Sequence, residues 1–388
     1  MRRLPFDYSV RNLGRSPLRL AAVVLGSALV VALVIAAGAF MRGMNRALVL
    51  GGAPDNVLLL AAGSEESIER SEIPANSGAL LAASVPGLKE ANGIAYVSPE
   101  INVALIVHTK RDDPVERRGV IRGIESEAFL VHPQVSMRSG RAPRPGADEV
   151  MVGGMAGKKL GLTPQQLVEG QQLWFAGRPW TIVGQFDAPG TTMDAELWAP
   201  LIDVLVALKR ETISAVTVTL DTAEFADIDA FTKQRFDLEL AAVTEMDYYA
   251  SLMRFYRPVR WMIGATAVLI SLAGLFGGLN TMYAAFAARI REIGMLQSLG
   301  FTRSAIVWSL LQESLLAAAS GALIAAALAY ILLDGIAVEF SLGVFALEVD
   351  GAVLLAGLAA ALFLGCIGAI PPALRCLRLP ITEALKAT

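Results

Sequence analysis

Histidine and cysteine are scarce in this sequence, which has two of each among its 388 residues. The histidines are His108 and His132, and no cysteine accompanies either, so we do not expect a zinc site or a histidine-based catalytic triad. The cysteines, Cys366 and Cys376, fall in an apolar run and in the C-terminal tail, where no structural disulfide is expected. The chain therefore lacks the usual residues of metal and nucleophilic sites.

Catalytic and nucleotide-binding motifs are missing as well. There is no G-x-S-x-G, and the nearest approach to a phosphate loop is GGMAGKK at 153–159. That segment does not qualify because Val152 takes the leading glycine position and Lys159 replaces the required serine or threonine. Asp194 and Glu196 are neighbouring carboxylates, but nothing indicates that they converge on a substrate. We predict a chain that is not an enzyme and has no metal or bound cofactor of its own.

Charge is also sparse, at 18% of residues against 54% apolar residues. Four runs are long enough and apolar enough to cross a bilayer, which takes about 20 residues. Glu313 interrupts the third run and no charge interrupts the others. The runs cover 20–41, 261–288, 304–333 and 351–374. They predict a multi-pass membrane protein with four helices.

Arginines near the ends of these runs indicate the orientation. They are frequent in 1–19, in the connection 289–303 and in the tail 375–388, whereas the connection 334–350 has acidic residues and no basic ones. We therefore predict cytoplasmic termini, a short external loop at 334–350, and residence in the cell's inner membrane. A cleavable signal peptide ending near Ala39 is the alternative for the first run, which is too long for one.

The N-terminal segment 1–19 has its own pattern. Phe6, Val10 and Leu13 fall on one face of a predicted helix, which suggests an amphipathic helix lying on the inner leaflet of the bilayer. A plain cluster of arginines that sets the topology explains the segment equally well.

The segment 42–260, between the first two runs, has mixed α+β character and contains more acidic than basic residues, so it carries no nucleic-acid footprint. Alternating and β-branched stretches predict strands at 56–60, 102–109, 119–124, 172–177, 179–186 and 213–220. Helices are predicted at 154–161, 201–210 and 224–236. Thr244 with Asp247 resembles a capping box, opening a helix that leads towards the second run.

The connection between the second and third runs is an amphipathic stretch. Ile290, Ile293, Leu296 and Leu299 recur every three residues, which places them on one side of a short helix. Gly300 supplies a helix stop, and Thr302 or Ser304 can cap the next helix. This helix either lies on the bilayer or docks into a partner; a simple surface turn is the alternative.

Two features inside the membrane runs stand out. Gly274 and Gly278 form a small-xxx-small pair that permits close helix packing. Glu313 lies roughly 13 Å past Ser304 along a helix, near the middle of the bilayer if the span begins there. A carboxylate at that depth is costly, so it either bonds a neighbouring helix or lines a transport path.

Several motifs together resemble the permeases of MacB/FtsX-type (type VII) ABC transporters. The resemblance covers nearly the whole chain, although the segment between the matched patches of 42–260 diverges and Phe301 stands where the family has a small residue. The motifs are YSVRNLGRSPLRLAAVVLG at 8–26, SGRAPRPGADEVMVGGMAGKKLGL at 139–162, WTIVGQF at 180–186, ELWAPL at 196–201, NTM at 280–282, REIGMLQSLGFTRSAI at 291–306, QES at 312–314, IPPA at 370–373 and LPITEAL at 379–385.

This resemblance implies a permease subunit that pairs with a second copy or a paralogue and works with a separate cytosolic ATPase, which binds the ATP. ATP-driven closure would pass through a stalk to a MacB-like periplasmic core domain, with a periplasmic adaptor as a further possible partner, for export or extrusion of a substrate. An FtsX-like regulator that activates a cell-wall hydrolase without transport is the alternative. The residues implied in ATPase coupling are Arg291, Glu292, Ile293, Gly294, Leu296, Leu299 and Gly300.

Overall fold

The computed structural model describes residues 6–15, 17–49, 52–340 and 343–378. Its chain divides into two compact units. The membrane unit comprises the described residues of 1–42, 258–336 and 347–388, and the α+β unit comprises those of 43–257 and 337–346. The motif at 379–385 lies outside the described residues.

Twelve α-helices lie within the described ranges. They are α1 Phe6–Leu13, α2 Pro17–Val49, α3 Ser77–Ser84, α4 Ala128–Val131, α5 Ala156–Leu160, α6 Leu201–Leu208, α7 Phe225–Gln234, α8 Glu245–Phe255, α9 Arg257–Ala287, α10 Ile290–Ser298, α11 Arg303–Leu332 and α12 Gly351–Leu377.

Four of these helices, α2, α9, α11 and α12, are long and apolar enough to cross a membrane, which confirms the predicted four-helix architecture. Local chemistry sets their ends. The Thr302 side chain accepts a hydrogen bond from the Ala305 amide at the start of α11, and Asp350 does the same for Val353 at the start of α12. In α12 the helix continues through two consecutive prolines near its C-terminal end.

The strands within the described residues number sixteen. They are β1 Asn56–Ala61, β2 Ile73–Pro74, β3 Glu90–Ala91, β4 Ile94–Ala95, β5 Val97–Val107, β6 Arg117–Ile124, β7 Ser136–Gly140, β8 Glu149–Gly153, β9 Gln172–Phe175, β10 Arg178–Asp187, β11 Glu196–Pro200, β12 Thr212–Ile213, β13 Ala215–Thr219, β14 Leu240–Thr244, β15 Ala337–Phe340 and β16 Gly343–Ala346.

A ten-stranded mixed sheet organises the α+β unit, in the order β14-β1-β13-β5-β6-β11-β8-β10-β7, with β9 paired to β10. Successive side chains of a strand point to opposite faces, and β8 shows this directly. Val150 and Val152 join the larger apolar core, whereas Met151 joins a second core with Phe186 and Trp198. Both faces of the sheet are therefore covered, and this confirms the predicted α+β domain between the first two membrane helices.

The strands that the sequence predicted in this unit are present, but several elements were not predicted. The strand β7 has five exposed residues, so no apolar alternation marks it, and it forms because its backbone pairs with the edge of β10. The connection 334–350, predicted as a short loop, instead contains the antiparallel hairpin of β15 and β16. Backbone pairing with little hydrophobic patterning is difficult to see in a single sequence.

The predicted cap at Thr244 is present, since its hydroxyl accepts a hydrogen bond from the Asp247 amide at 3.0 Å. The helix that it opens does not continue into the second membrane helix. Instead, α8 ends at Phe255 and α9 begins at Arg257, directly before Pro258. Proline is tolerated in the first turn of a helix, where its missing N–H is not needed, so it marks a fresh start here.

Candidate functional site in the membrane unit

The N-terminal helix α1 places polar side chains towards α11. Ser9 and Asn12 are buried, whereas Phe6 and Val10 are exposed. The Ser9 hydroxyl lies 2.9 Å from that of Ser309. The apolar face of α1 therefore points away from the protein, and its polar face fixes it to the first turns of α11.

Glu313 is the centre of this contact. Its Oε2 accepts hydrogen bonds from Asn12 Nδ2 at 2.6 Å and from Arg289 Nη1 at 2.9 Å. The Glu313 and Arg289 side chains are only 18% and 13% exposed. Removing one partner of an ion pair screened this much from water costs more than removing one partner of a surface pair, because the remaining charge stays poorly solvated.

Glu292 joins the same network from α10. It accepts hydrogen bonds from the Tyr8 hydroxyl at 2.6 Å, from Arg289 Nε at 3.0 Å and from Arg15 Nη1 at 3.1 Å. Burial tends to raise the pKa of Glu292, but the hydrogen bonds from Tyr8 and Arg289 and the nearby arginines lower it overall. Burial and the Glu292 carboxylate raise the pKa of Tyr8, so the phenol stays a donor. The network thus links α1, α10 and α11.

The position of Glu313 follows from these contacts. Its partner Arg289 lies two residues beyond the end of α9, and Glu313 is the eleventh residue of α11, whose first turns run beside α1 and α10. The depth of Glu313 in a bilayer stays a prediction. The hydrogen bonds favour the role of helix contact over that of transport-path carboxylate.

The apolar residues that were predicted to line one side of α10 are not all buried to the same extent. Ile293 is 2% exposed and packs in a core with Met282, Phe286 and Ile306, and Leu296 is partly buried against this core. Leu299, in contrast, is 64% exposed. Residues that are three positions apart shift steadily around a helix of 3.6 residues per turn, so these side chains do not share one face.

The other residues predicted to couple the permease to the ATPase also differ in their exposure. Gly294 is buried, Glu292 is occupied by the polar network, and Arg291 is exposed. Gly300 has a φ of +87°, the left-handed conformation that ends a helix and that glycine adopts without strain. The exposed residues of α10 are therefore Arg291, Met295 and Ser298, and the exposed Leu299 follows directly after the helix.

The two glycines of the small-xxx-small pair have different surroundings. A Cβ on Gly274 would collide with the Val30 side chain of α2, so the two helices approach closely there. A Cβ on Gly278 would meet nothing within 4 Å. A tighter contact occurs at Gly321 against Ser27, and a further close contact occurs at Gly357 against Ile35; the sequence pattern singled out neither glycine. Among the described residues no group of three or more potential ligands would hold a metal.

Comparison with known families explains this combination of units. The family model of the MacB-like periplasmic core domain matches residues 20–234, which is more than half of the chain, and that of the FtsX-like permease C-terminal domain matches residues 264–381. The chain belongs to the MacB/FtsX family of ABC transporter permeases. The two matches correspond to the α+β unit with its first membrane helix and to the remaining three membrane helices.

Full-length relatives of this permease agree with the family assignment. It is 22% identical to the uncharacterized ABC transporter permease YknZ of Bacillus subtilis, over 96% of this chain and 95% of that protein. It is 26% identical to the macrolide export ATP-binding/permease protein MacB 1/2 of Paracoccus denitrificans, over 96% of this chain. The permease spans only 56% of the length of that MacB protein.

Solved structures of isolated domains are also similar to this permease. The periplasmic region of MacB from Actinobacillus actinomycetemcomitans aligns with 52% of this chain and 94% of its own, at 14% identity and a TM-score of 0.39. The extracellular domain of YknZ from Gram-positive bacteria aligns with 48% of this chain and 97% of its own, at 14% identity and a TM-score of 0.35.

The α+β unit of the permease contains a second polar network, which the sequence did not reveal. Arg122 donates hydrogen bonds to Glu196 at 2.7 and 2.8 Å and to Glu100, and His132 Nε2 lies 2.8 Å from the other Glu100 oxygen. All four side chains are buried. Glu245, at the start of α8, lies near His132 and accepts hydrogen bonds from the Ala53 amide and from Asn56, both at 2.9 Å.

Burial and pairing act in opposite directions on these groups. Burial tends to raise the pKa of Glu100, but His132 and Arg122 outweigh it and lower this pKa to about 2. Burial tends to lower the pKa of His132, yet the Glu100 and Glu245 carboxylates raise it overall. Burial raises the pKa of Glu245. The two carboxylates therefore favour the charged form of His132, which pairs with Glu100.

Raising the pH should destabilise the α+β unit through His132. A histidine whose pKa is raised on folding contributes its full stability below the unfolded pKa of about 6.5 and loses it as the pH rises through the folded value. We expect the thermal midpoint of the unit, measured in the intact permease by tryptophan fluorescence, to fall as the pH increases above neutrality. His132→Gln should abolish this slope, whereas His108→Gln, which leaves His132 in place, should keep it. A midpoint that rises over this interval would contradict the assignment.

Proposed function

We propose that the permease acts with a separate cytosolic ATPase and passes ATP-driven motion from α10 to the periplasmic core domain, for export or extrusion of a substrate. The ATP is bound by the ATPase, since the sequence offers no phosphate loop of its own. The arginines near the membrane helices support cytoplasmic termini and an inner-membrane location. A second permease copy or paralogue and a periplasmic adaptor complete the proposed complex.

The attachment of α10 to the rest of the membrane unit carries this proposal. Ile293 anchors the helix in an apolar core, and Arg289 and Glu292 tie it to α11 and α1. A displacement of α10 alone would leave Glu313 and Arg289 poorly solvated and unpaired, which costs several kcal/mol. The three helices are therefore expected to move together when a partner pushes on α10.

The exposed side of α10 is the proposed contact with the ATPase. Leu299 offers an apolar side chain, and Arg291 and Met295 lie beside it on the same outward surface. An apolar side chain that enters a groove of a partner is a common mode of helix recognition. Ile293, which the sequence placed in this contact, is occupied within the chain itself.

Leu299→Asp should strip the ATPase from the permease during purification, because burying a carboxylate in that contact costs several kcal/mol and about 1.4 kcal/mol already changes affinity tenfold. The ratio of ATPase to permease in the purified complex, together with its particle mass, measures the loss and the number of permease copies. Leu299→Met is the matched control and should keep the ATPase.

Correct insertion of the variant must be established separately. Labelling Phe236→Cys, an exposed position in the α+β unit, from outside intact cells does this in a background without Cys366 and Cys376. Leu296→Asp is less suitable, since Leu296 packs against the internal core. If Leu299→Asp retains its full complement of ATPase, α10 is not the contact.

A further inference from the structure

The hairpin of β15 and β16 belongs to the α+β unit, although in sequence it joins two membrane helices. Its strands pair in antiparallel register, with Val338 opposite Phe345 and Glu339 opposite Val344. The side chains of Val344 and Phe345 are only 1% and 3% exposed. A connection between neighbouring membrane helices usually needs two to eight residues, so the 18 residues between α11 and α12 are far more than closure requires.

The buried strand β16 packs against two elements of the α+β unit. These are the single 3-10 turn Thr192–Ala195 and the helix α5. A Cβ on Gly43 would collide with the Ala346 carbonyl oxygen and the Phe345 ring, so the last turns of α2 also approach the hairpin as closely as glycine permits.

Charge supports the same contact. Burial lowers the pKa of Lys159 in α5, and the Glu339 carboxylate of β15 partly offsets that effect. Because Glu339 is exposed, this attraction is a minor addition to the apolar packing of Phe345 and Val344, which holds the hairpin in the α+β unit.

The base of the hairpin is equally well fixed. The Gly335 amide donates to the Leu347 carbonyl at 3.0 Å, and the Leu347 amide donates to the Ile336 carbonyl at 2.8 Å. The Val349 amide donates to Asp334 Oδ1 at 3.0 Å. These bonds join the end of α11 to the chain that enters α12, so the base of the hairpin is closed by hydrogen bonds from backbone amides.

We propose that this hairpin is a coupling arm through which α11 acts on the periplasmic core domain, at the 3-10 turn Thr192–Ala195 and at α5. The helix α11 has 30 residues, so it is about 45 Å long. It carries Glu313 of the polar network near its start and leads into the hairpin at its end. The proposal rests on the proposed function and adds a connection that does not pass through α2 or through α8 and α9.

Hydrogen exchange in the intact permease, bound to its ATPase in lipid nanodiscs, tests the arm. In the wild type, ATP with vanadate should change the exchange of the peptides that contain Thr192–Ala195 and α5. In Phe345→Ala this response should become roughly fivefold smaller, at the lower end of typical coupling between sites. Exchange in α10 should still respond, because that helix lies on the ATPase side of the arm.

Ile336→Ala is the matched control, since Ile336 is an apolar residue at the base of the hairpin with an exposed side chain, and it should respond as the wild type does. If Phe345→Ala already shows faster hydrogen exchange in the sheet strand β10 before ATP is added, the domain itself is loosened. In that case Val344→Ala, which removes fewer atoms, replaces it in the experiment. The test uses whichever of these two variants keeps β10 protected before ATP is added. If that variant responds to ATP as the wild type does, the coupling arm is wrong, whereas the proposed function is unaffected. If the wild type itself shows no ATP-dependent change in the α+β unit, the proposed function fails, and the arm with it.

Discussion

Arg122→Met should lower the stability of the α+β unit by about 3–5 kcal/mol, because it leaves two buried carboxylates without their common cation. Glu100 would keep His132, but Glu196 would keep only the Trp198 indole N–H as a donor. For a unit of this size, the loss corresponds to a fall of about 10 °C in thermal midpoint. Tryptophan fluorescence of the intact permease reports it, since Trp198 lies beside the Arg122 guanidinium.

Arg138→Ala is the control for this experiment. Arg138 pairs with Asp187, but its side chain is largely exposed, and exposed pairs contribute about 0–1 kcal/mol. The double variant Arg122→Met/Glu196→Gln should recover part of the loss, because it removes the charge of the carboxylate that has lost its cation, while an amide oxygen still accepts from Trp198. If Arg122→Met matched Arg138→Ala in midpoint, the buried network would not be a source of stability.

Glu313→Leu should release α1 from the membrane unit. The substitution removes the acceptor of Asn12 and one of the two carboxylates that face Arg289, at a cost of about 3 kcal/mol. In hydrogen exchange this corresponds to a roughly hundredfold loss of protection in the amides of α1. Glu313→Gln keeps an oxygen that accepts from both partners, so we expect it to retain most of the protection and most of the ATP-driven function.

Gln312→Leu provides the matched control. Gln312 precedes Glu313 on α11, and its one side-chain hydrogen bond among the described residues is a long contact with Ser9, at 3.4 Å. We expect it to change the protection of α1 little. If Glu313→Leu behaves like Gln312→Leu, the helix contact does not depend on this carboxylate; if Glu313→Gln abolishes function without loosening α1, the transport-path alternative is correct.

Comparison of prediction and structure shows which signals in the sequence were sufficient. The membrane helices could be predicted because an uncharged run of suitable length has few other stable solutions. The helix stop at Gly300 and the cap at Thr302 are local chemistry, carried by single residues. Strands such as β10 were visible because their apolar residues alternate or are β-branched.

The candidate site was only partly visible. Glu313 could be singled out, because a carboxylate in an apolar run needs a partner, but its partner could not be named. Asn12 is 301 residues away in sequence and Arg289 is 24 away. Helical and strand periodicity relate residues that are a few positions apart, so they reveal neither of these two pairings. For the same reason the sequence offered no sign that Arg122 would lie between Glu100 and Glu196, on three different strands.

The sequence by itself determined the four membrane helices, the α+β character of the large segment between the first two, and the family. These follow from hydrophobic length, alternation and motifs that are local in the chain. Only the tertiary structure decided which side of α10 is buried, where Glu313 finds its partners, and that the connection 334–350 contains a hairpin that belongs to the α+β unit. The physical reason is that burial and ion pairing depend on which distant segments come together, and a helical or strand period specifies a face without specifying what covers it.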